Sequence, residues 1–298
     1  MYPLPNTIIA GVNKAGTTSL FTYLAQHPAV CPATIKETGY FLTYRYAEPP
    51  HPWAEYTAHF AHCRDRPVIL EATPGYYYGG QAVADALHEQ LGPVRILLIF
   101  RDPVDRLLSF FKSQKALLRF PPEMTLAEYV AACDAIPAGE RGWRKHNPYW
   151  GVEGGYYARF LPPWLAQFAP DRLYITFFEQ FREQPRAVLQ DIGRWLGLSP
   201  AGFDQVNFSV ENRSMNYRWR SLQQLALTLN RRAERVWRAH PHLKQRLRAL
   251  YFRLNGRAFV EEIDPELLAT LRARYTLANA DFAAMLIDWG YSPYTWFI

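Results

Sequence analysis

Lys14, Ala15, Gly16, Thr17, Thr18 and Ser19 are the residues of this chain whose types and spacing best suit holding a phosphate ester. They follow the apolar run Ile8-Ile9-Ala10-Gly11 and open a stretch of helical character. Glycines let backbone N–H groups turn inward, hydroxyls add donors, and a helix N-terminus adds the positive end of its dipole. Lys14 adds a point charge able to follow a bridging oxygen as it becomes negative. In a Walker loop, GxxxxGK[ST], the lysine follows the second glycine. Here Gly11 and Gly16 keep that spacing, but Lys14 lies between them and Thr17 takes the lysine position. The loop therefore suits a phosphate ester held otherwise than as a magnesium nucleotide, the alternative being a tight turn with a solvated lysine.

Two further groupings carry chemistry. In Lys36-Glu37-Thr38-Gly39-Tyr40-Phe41 a carboxylate stands beside a cation and ahead of two aromatics. Partial burial and the lysine suit Glu37 to act as a general base, and the plain reading is a surface ion pair. In Phe100-Arg101-Asp102-Pro103, running on to Arg106 and Ser109, a strand ends at Arg101, Asp102 caps a helix and Pro103 fills its first turn. Ser109 then lies about 9 Å along that helix, so Arg101 as a fork and Ser109 by its hydroxyl can grip a second phosphate. Arg106 is expected to pair with Asp102 or another nearby acid.

The elements that must position these groups are legible. Short apolar runs predict strands at Thr7–Gly11, Val68–Glu71, Arg95–Phe100 and Leu173–Phe178. Helical patterns cover Thr17–Gln26, Gln81–Leu91, Pro103–Leu118, Tyr157–Phe168 and Pro185–Leu196. Buried strands alternating with helices predict an α/β fold, a mainly parallel central sheet flanked by helices on both faces. In such sheets ligands bind beyond the C-terminal strand ends, where Lys14 and Arg101 both fall. The Gly/Pro/Trp-containing segment 134–155 reads as a mobile lid. Leucine spacing predicts two amphipathic helices in 221–254, making the C-terminal part helical. Site residues drawn from early and middle segments favour one domain over 1–298.

Composition sets outer bounds. The 298 residues are 49% hydrophobic and 15% aromatic, enough for a substantial core, and the net charge is +6. Between Arg213 and Arg257 twelve basic residues face one acid, Glu234, so this segment suggests an anionic partner. The cysteines Cys31, Cys63 and Cys133 are odd in number and lack any CxxC, which predicts free buried thiols in a reducing compartment rather than a disulfide or zinc site. No leader-like or membrane-spanning run is evident, so a cytoplasmic protein is expected.

Taken in order, the three segments resemble the sulfotransferases that use 3′-phosphoadenosine-5′-phosphosulfate (PAPS), above all the carbohydrate (heparan-type) branch and its bacterial relatives. Its KxGTTxL loop matches Lys14, Gly16, Thr17, Thr18 and Leu20; its KExxFF-like segment puts a catalytic glutamate on Glu37; its RxPxxRxxS strand–helix matches Arg101, Pro103, Arg106 and Ser109. Glu71-Ala72-Thr73-Pro74-Gly75-Tyr76, Gly155-Tyr156-Tyr157 with Leu161, Trp164 and Phe168, and Phe178-Glu179 to Leu196-Gly197 extend the likeness over nearly the whole chain. Two departures stand out. Ala72 replaces a lysine that heparan-type enzymes place near the acceptor. The late Lys-Gly loop closing on the 3′-phosphate is absent, and Arg213 and Ser214 are its candidate replacement.

The resemblance implies a metal-independent sulfuryl transfer from PAPS, leaving adenosine 3′,5′-bisphosphate (PAP), to a hydroxyl or amine of a small-molecule or glycan acceptor. Lys14 would stabilise the departing phosphate, Glu37 would take the acceptor's proton, and Arg101 with Ser109 would hold the 3′-phosphate. Tyr40, Tyr76, Tyr77 and Trp150 are candidate acceptor walls, with core packing the alternative. Two other classes stay open. One is a P-loop kinase or ATPase. The other is an anion-binding module for nucleic acid or a membrane surface built on the basic helices, whose plainer reading is a solvated basic face; no nucleic acid is expected, and peripheral membrane contact is compatible with these helices.

Overall fold

A computed structural model describes residues 2–208, 216–233, 241–257, 263–292, 294 and 296. Five strands, β1 (Thr7–Gly11), β2 (Val30–Pro32), β3 (Val68–Ala72), β4 (Arg95–Phe100) and β5 (Leu173–Phe177), form one sheet in the order β2-β3-β1-β4-β5. Every pairing is parallel, with Ile8 opposite Glu71 and Ile96 and Ile99 opposite Thr176. Ile8, Ile9 and Ala10 in β1, and Leu97, Leu98 and Ile99 in β4, are fully buried on both alternating sides. Successive residues of a strand point to opposite faces, so layers must cover both faces of the sheet.

The chain leaves β1 to one side to form β3 and returns to the other to form β4. The loops after β1 and β4 therefore part at a switch point and leave a crevice at the strand ends. The helices Thr17–Leu24 and Pro103–Ala116 start there. The second is capped as its sequence requires: Asp102 accepts from Asp105 N–H at 2.8 Å, and Pro103 fills the first turn.

Several expectations need correction. The helix foreseen over Tyr157–Phe168 is a 3₁₀ turn, Tyr157–Arg159, followed by a short α-helix, Pro162–Gln167. Pro162 and Pro163 lack the N–H groups a continuous helix would use, so they start a new one. The segment foreseen as a lid holds three 3₁₀ turns: the first two carry no buried residue and Trp143 is half exposed, whereas Trp150 and Val152 are buried and Tyr129 Oη accepts from Gly151 N–H at 3.0 Å. Among the described residues Arg106 pairs with no acid. It is fully buried, donates to the Gly151 carbonyl, and keeps Nε and Nη1 without partners.

Cys31 and Cys63 are joined in a disulfide, Cα–Cα 5.5 Å, against the prediction of free thiols; Cys133 alone is free and buried. Spacing in sequence carried no sign of this pairing, because β2 and the turn after the helix Trp53–Ala58 meet only in the folded chain. The bond also removes the ground on which a reducing compartment was expected. Among the described residues no helix is long and apolar enough to cross a membrane.

The C-terminal helix Pro265–Asp288 closes one side of the core. Phe282 meets the Phe100 ring at 4.7 Å, and Tyr275 Oη donates to the Val152 carbonyl at 2.7 Å. Of the basic segment, the helices Arg220–Arg232 and Pro241–Asn255 are described. Gln223 Nε2 donates to the Ala116 carbonyl at 2.6 Å, docking the first on the end of the helix Pro103–Ala116.

Candidate functional site

The crevice at the strand ends opens into two clefts that share walls. The first holds about 910 Å³ and is lined by Lys14, Gly16, Thr17, Thr18, Ser19, Arg101 and Ser109, among others. The second holds about 590 Å³ and runs over Arg45, Thr73 and Trp150. Asn13, Glu37, Phe110, Gln114 and Leu117 line both, so the clefts meet at Glu37.

Local backbone chemistry builds the first cleft. Lys14 (φ 71°) and Gly16 (φ 84°) both take left-handed conformations, turning the loop sharply between β1 and its helix. At Gly16 an added Cβ would stand 2.7 Å from the Phe178 ring, so the position needs glycine for both conformation and space. Gly16 is also the N-cap of the helix Thr17–Leu24 and supplies no capping side chain, leaving the first-turn N–H groups to face the cleft. Ala15 is fully buried beneath the loop and offers only its backbone.

Cations crowd this end. Arg101 Nη1 donates to the Lys14 carbonyl at 3.3 Å, its guanidinium lies 4.6 Å from the Phe178 ring centroid, and its Nε is shut off from solvent without a partner among the described residues. Asp105 approaches Arg101 Nη2 at 3.6 Å. Burial pulls the Lys14 ammonium down to about 8; Glu37 opposes that, and Arg101, Lys36 and Arg106 add to it. An orphaned guanidinium nitrogen beside a lysine with a depressed pKa is a site short of negative charge.

Glu37 also holds a left-handed conformation, φ 66°. Its backbone N–H donates to the Ala72 carbonyl at 2.8 Å, and Lys36 Nζ lies 2.6 Å from its Oε1. The next residue is anchored more deeply: Thr38 Oγ1 donates to Glu71 Oε1 at 2.7 Å. Glu71 is wholly buried and also accepts from Thr73 at 2.7 Å, Tyr76 at 2.9 Å and Tyr56 at 3.1 Å. Burial pushes its carboxyl up, and the four hydroxyl donors pull it back. This network pins the loop that carries Glu37.

The structure brings together Lys14, Gly16, Thr17, Thr18, Ser19, Glu37, Arg101 and Ser109. Arg213 and Ser214 lie outside the described residues. Of the aromatic residues foreseen as acceptor walls, only Trp150 lines a cleft. Tyr76 and Tyr77 are fully buried, the first bonded to Glu71 and the second donating to the Tyr157 carbonyl at 2.8 Å. Tyr40 packs among Phe41, Trp53 and Tyr56. These three rings serve the core rather than the cleft. Sequence reading missed Asn13, Arg45, Tyr46 and Arg144, and also Gln223 and Phe252, through which the basic helices close one wall of the first cleft. Among the described residues the one cluster of three metal-type donors is Cys31, His62 and Cys63, and its two sulfurs form the disulfide.

A family model described as "Sulfotransferase domain" matches residues 4–238. The human bifunctional heparan sulfate N-deacetylase/N-sulfotransferase 3 is 26% identical over 216 residues, covering 66% of this chain and 23% of that protein. The membrane-associated sulfotransferase kil1 of Dictyostelium discoideum is 37% identical over 106 residues, covering 36% of this chain and 22% of that protein. The matched part is thus under a quarter of those relatives' length. A crystal structure of a sulfotransferase from Alicyclobacillus acidocaldarius shares the fold, with a TM-score of 0.69 over 97% of this chain and 100% of that chain at 20% identity.

Proposed function

The chain belongs to the sulfotransferase domain family, matched over residues 4–238, and from that premise we propose that it moves a sulfuryl group from PAPS to a hydroxyl or amine of an acceptor. The observation that carries the reading is the meeting of the two clefts at Glu37, beside Lys14. One cleft is short of negative charge and fits a bisphosphorylated nucleotide. The other brings a second molecule to the same carboxylate.

The first-turn N–H groups and hydroxyls of Thr17, Thr18 and Ser19 hold the 5′-phosphate. Arg101, with its unpartnered Nε, and Ser109 hold the 3′-phosphate. The rings of Phe181 and Phe208, each against Tyr23 along the same cleft, flank the purine. PAPS supplies an activated sulfuryl group on a phosphate leaving group. Glu37 accepts the proton of the acceptor O–H or N–H as the new bond to sulfur forms. The bond from sulfur to the bridging oxygen breaks, and Lys14 takes up the charge left on that oxygen. Lys36 keeps the Glu37 carboxylate oriented between turns. Much of the remaining rate comes from holding both partners in line.

The test is a screen of acceptors with radiolabelled sulfuryl donor, run beside Lys14→Ala and Glu37→Gln. Turnover lost in both, with PAP still bound by Glu37→Gln, is the expected result. Near-normal turnover in either variant would sink the assignment. A thermal-shift comparison adds a second check: PAP without magnesium should stabilise the protein, and stabilisation only by magnesium-ATP would point to a kinase.

A further inference from the structure

Four cations line the second cleft, Arg45, Arg119, Arg144 and Lys145, against one carboxylate, Glu37. Most of these charges are already answered. Arg144 Nε donates to Glu48 at 2.7 Å, Lys145 lies 3.0 Å from Glu140, and Glu37 is held by Lys36.

Arg45 is different. It forms no ion pair among the described residues. Nη1 reaches only the Gly75 carbonyl, at 3.4 Å, and Nη2 is cut off from solvent with no hydrogen-bond partner. Its guanidinium is caged by rings instead, with centroids at 4.5 Å for Trp150, 5.0 Å for Tyr46 and 5.4 Å for Tyr78. Burial works against its charge, yet a guanidinium does not give up its proton in a protein. Ring contacts attract a cation but carry no formal negative charge, so they leave the cost of desolvating the guanidinium unanswered. The cage positions the cation without neutralising it. Arg119, exposed on the same cleft, adds charge of the same sign.

We propose that the second cleft takes an acceptor bearing an anionic group, a carboxylate, sulfate ester or phosphate ester, and that Arg45 is the residue that receives it. The planar fork suits all three anions. The anion seats at Arg45 while the acceptor's nucleophile reaches the junction at Glu37, so acceptors are selected by the separation of these two groups as well as by charge. This rests on the sulfuryl-transfer reading only for the word acceptor; the anion site itself stands on Arg45.

The test fills the first cleft with PAP, so that Lys14 and Arg101 are occupied, and then titrates inorganic sulfate, inorganic phosphate and acetate at constant ionic strength by calorimetry. One further anion site is expected, weakened at least tenfold in Arg45→Met and less in Arg45→Lys, with PAP affinity unchanged in both. The three anions rank which group the site prefers. No anion site in the PAP-saturated wild type, or equal anion affinity in Arg45→Met with PAP affinity intact, overturns the proposal. Should both variants fail to fold, phenylglyoxal labelling of the wild type, read at the Arg45 peptide by mass spectrometry, decides it. The preferred anion must slow labelling at least fivefold, and unchanged labelling overturns it. If PAP does not bind the wild type at all, the donor reading falls, and labelling of the ligand-free protein still reports on Arg45.

Discussion

The cleft around Lys14 and the cleft around Arg45 are built in opposite ways. The anion-holding end of the first is shaped by backbone: a left-handed turn at Lys14 and Gly16, a helix N-terminus, and Arg101 just after β4. Its parts come as short runs that local rules dictate. The second is made of side chains from distant segments, Arg45 and Tyr46 against Arg144, Asn147 and Trp150, tied by a 2.8 Å bond from Tyr46 Oη to Asn147. A site made of backbone can hold one constant ligand through many changes of sequence. A site made of side chains can be respecified residue by residue. That difference suits a common donor and a private acceptor.

The largest losses are expected at Lys14 and Glu37, where the two clefts meet. Lys14→Ala should lower kcat by about 10²–10³-fold, the loss of one group that stabilises developing charge. Glu37→Gln should lower it by about 10²–10⁴-fold, the range for a lost general base. Single-turnover rates with radiolabelled donor measure both. Losses under tenfold would mean that the junction is not where chemistry happens.

The disulfide lies outside both clefts. Reduction, or Cys31→Ser, should cost about 2–4 kcal/mol of stability, because the bond closes a long loop of the unfolded chain. Urea titration with and without reductant measures the loss, and PAP affinity of the folded protein should not move.

Gly16→Ala tests the backbone character of the first cleft. It combines a left-handed conformation with a contact at 2.7 Å, so about 1–3 kcal/mol of stability and at least tenfold in PAP affinity should be lost. Gly139→Ala, where a Cβ meets nothing within 4 Å, is the matched control and should change neither.

The smallest effect is on pH. Lys14 holds its proton only up to about pH 8, so kcat/KM for the donor should fall by about tenfold by pH 9. Stability of the ligand-free protein should move the other way. Between pH 8 and the ordinary lysine value of 10.5 the unfolded chain binds more protons at this residue than the folded one, so this group's contribution to stability rises with pH. Lys14→Met should flatten both trends. A donor profile that stays level to pH 10 would show that another cation carries the charge.

Residue types and spacing determined a good deal. Lys14, Gly16 and Thr17 after an apolar run specify a turn for an anion, because glycine conformation and helix polarity act within a few residues. Asp102 and Pro103 specify a helix start for the same reason, and four of the five strands were legible as short apolar runs. Val30–Pro32 was not, because three residues carry no period. The helix Leu126–Asp134 escaped although Thr125 and Glu128 form its capping box. Only the tertiary structure decided which rings face a cleft, that Cys31 meets Cys63, and that Arg45 is caged without a counter-charge among the described residues. Those outcomes depend on contacts between residues far apart in the chain, such as Arg45 and Trp150. Local pattern has no access to them, because burial and electrostatic neutralisation are properties of the packed molecule rather than of any segment.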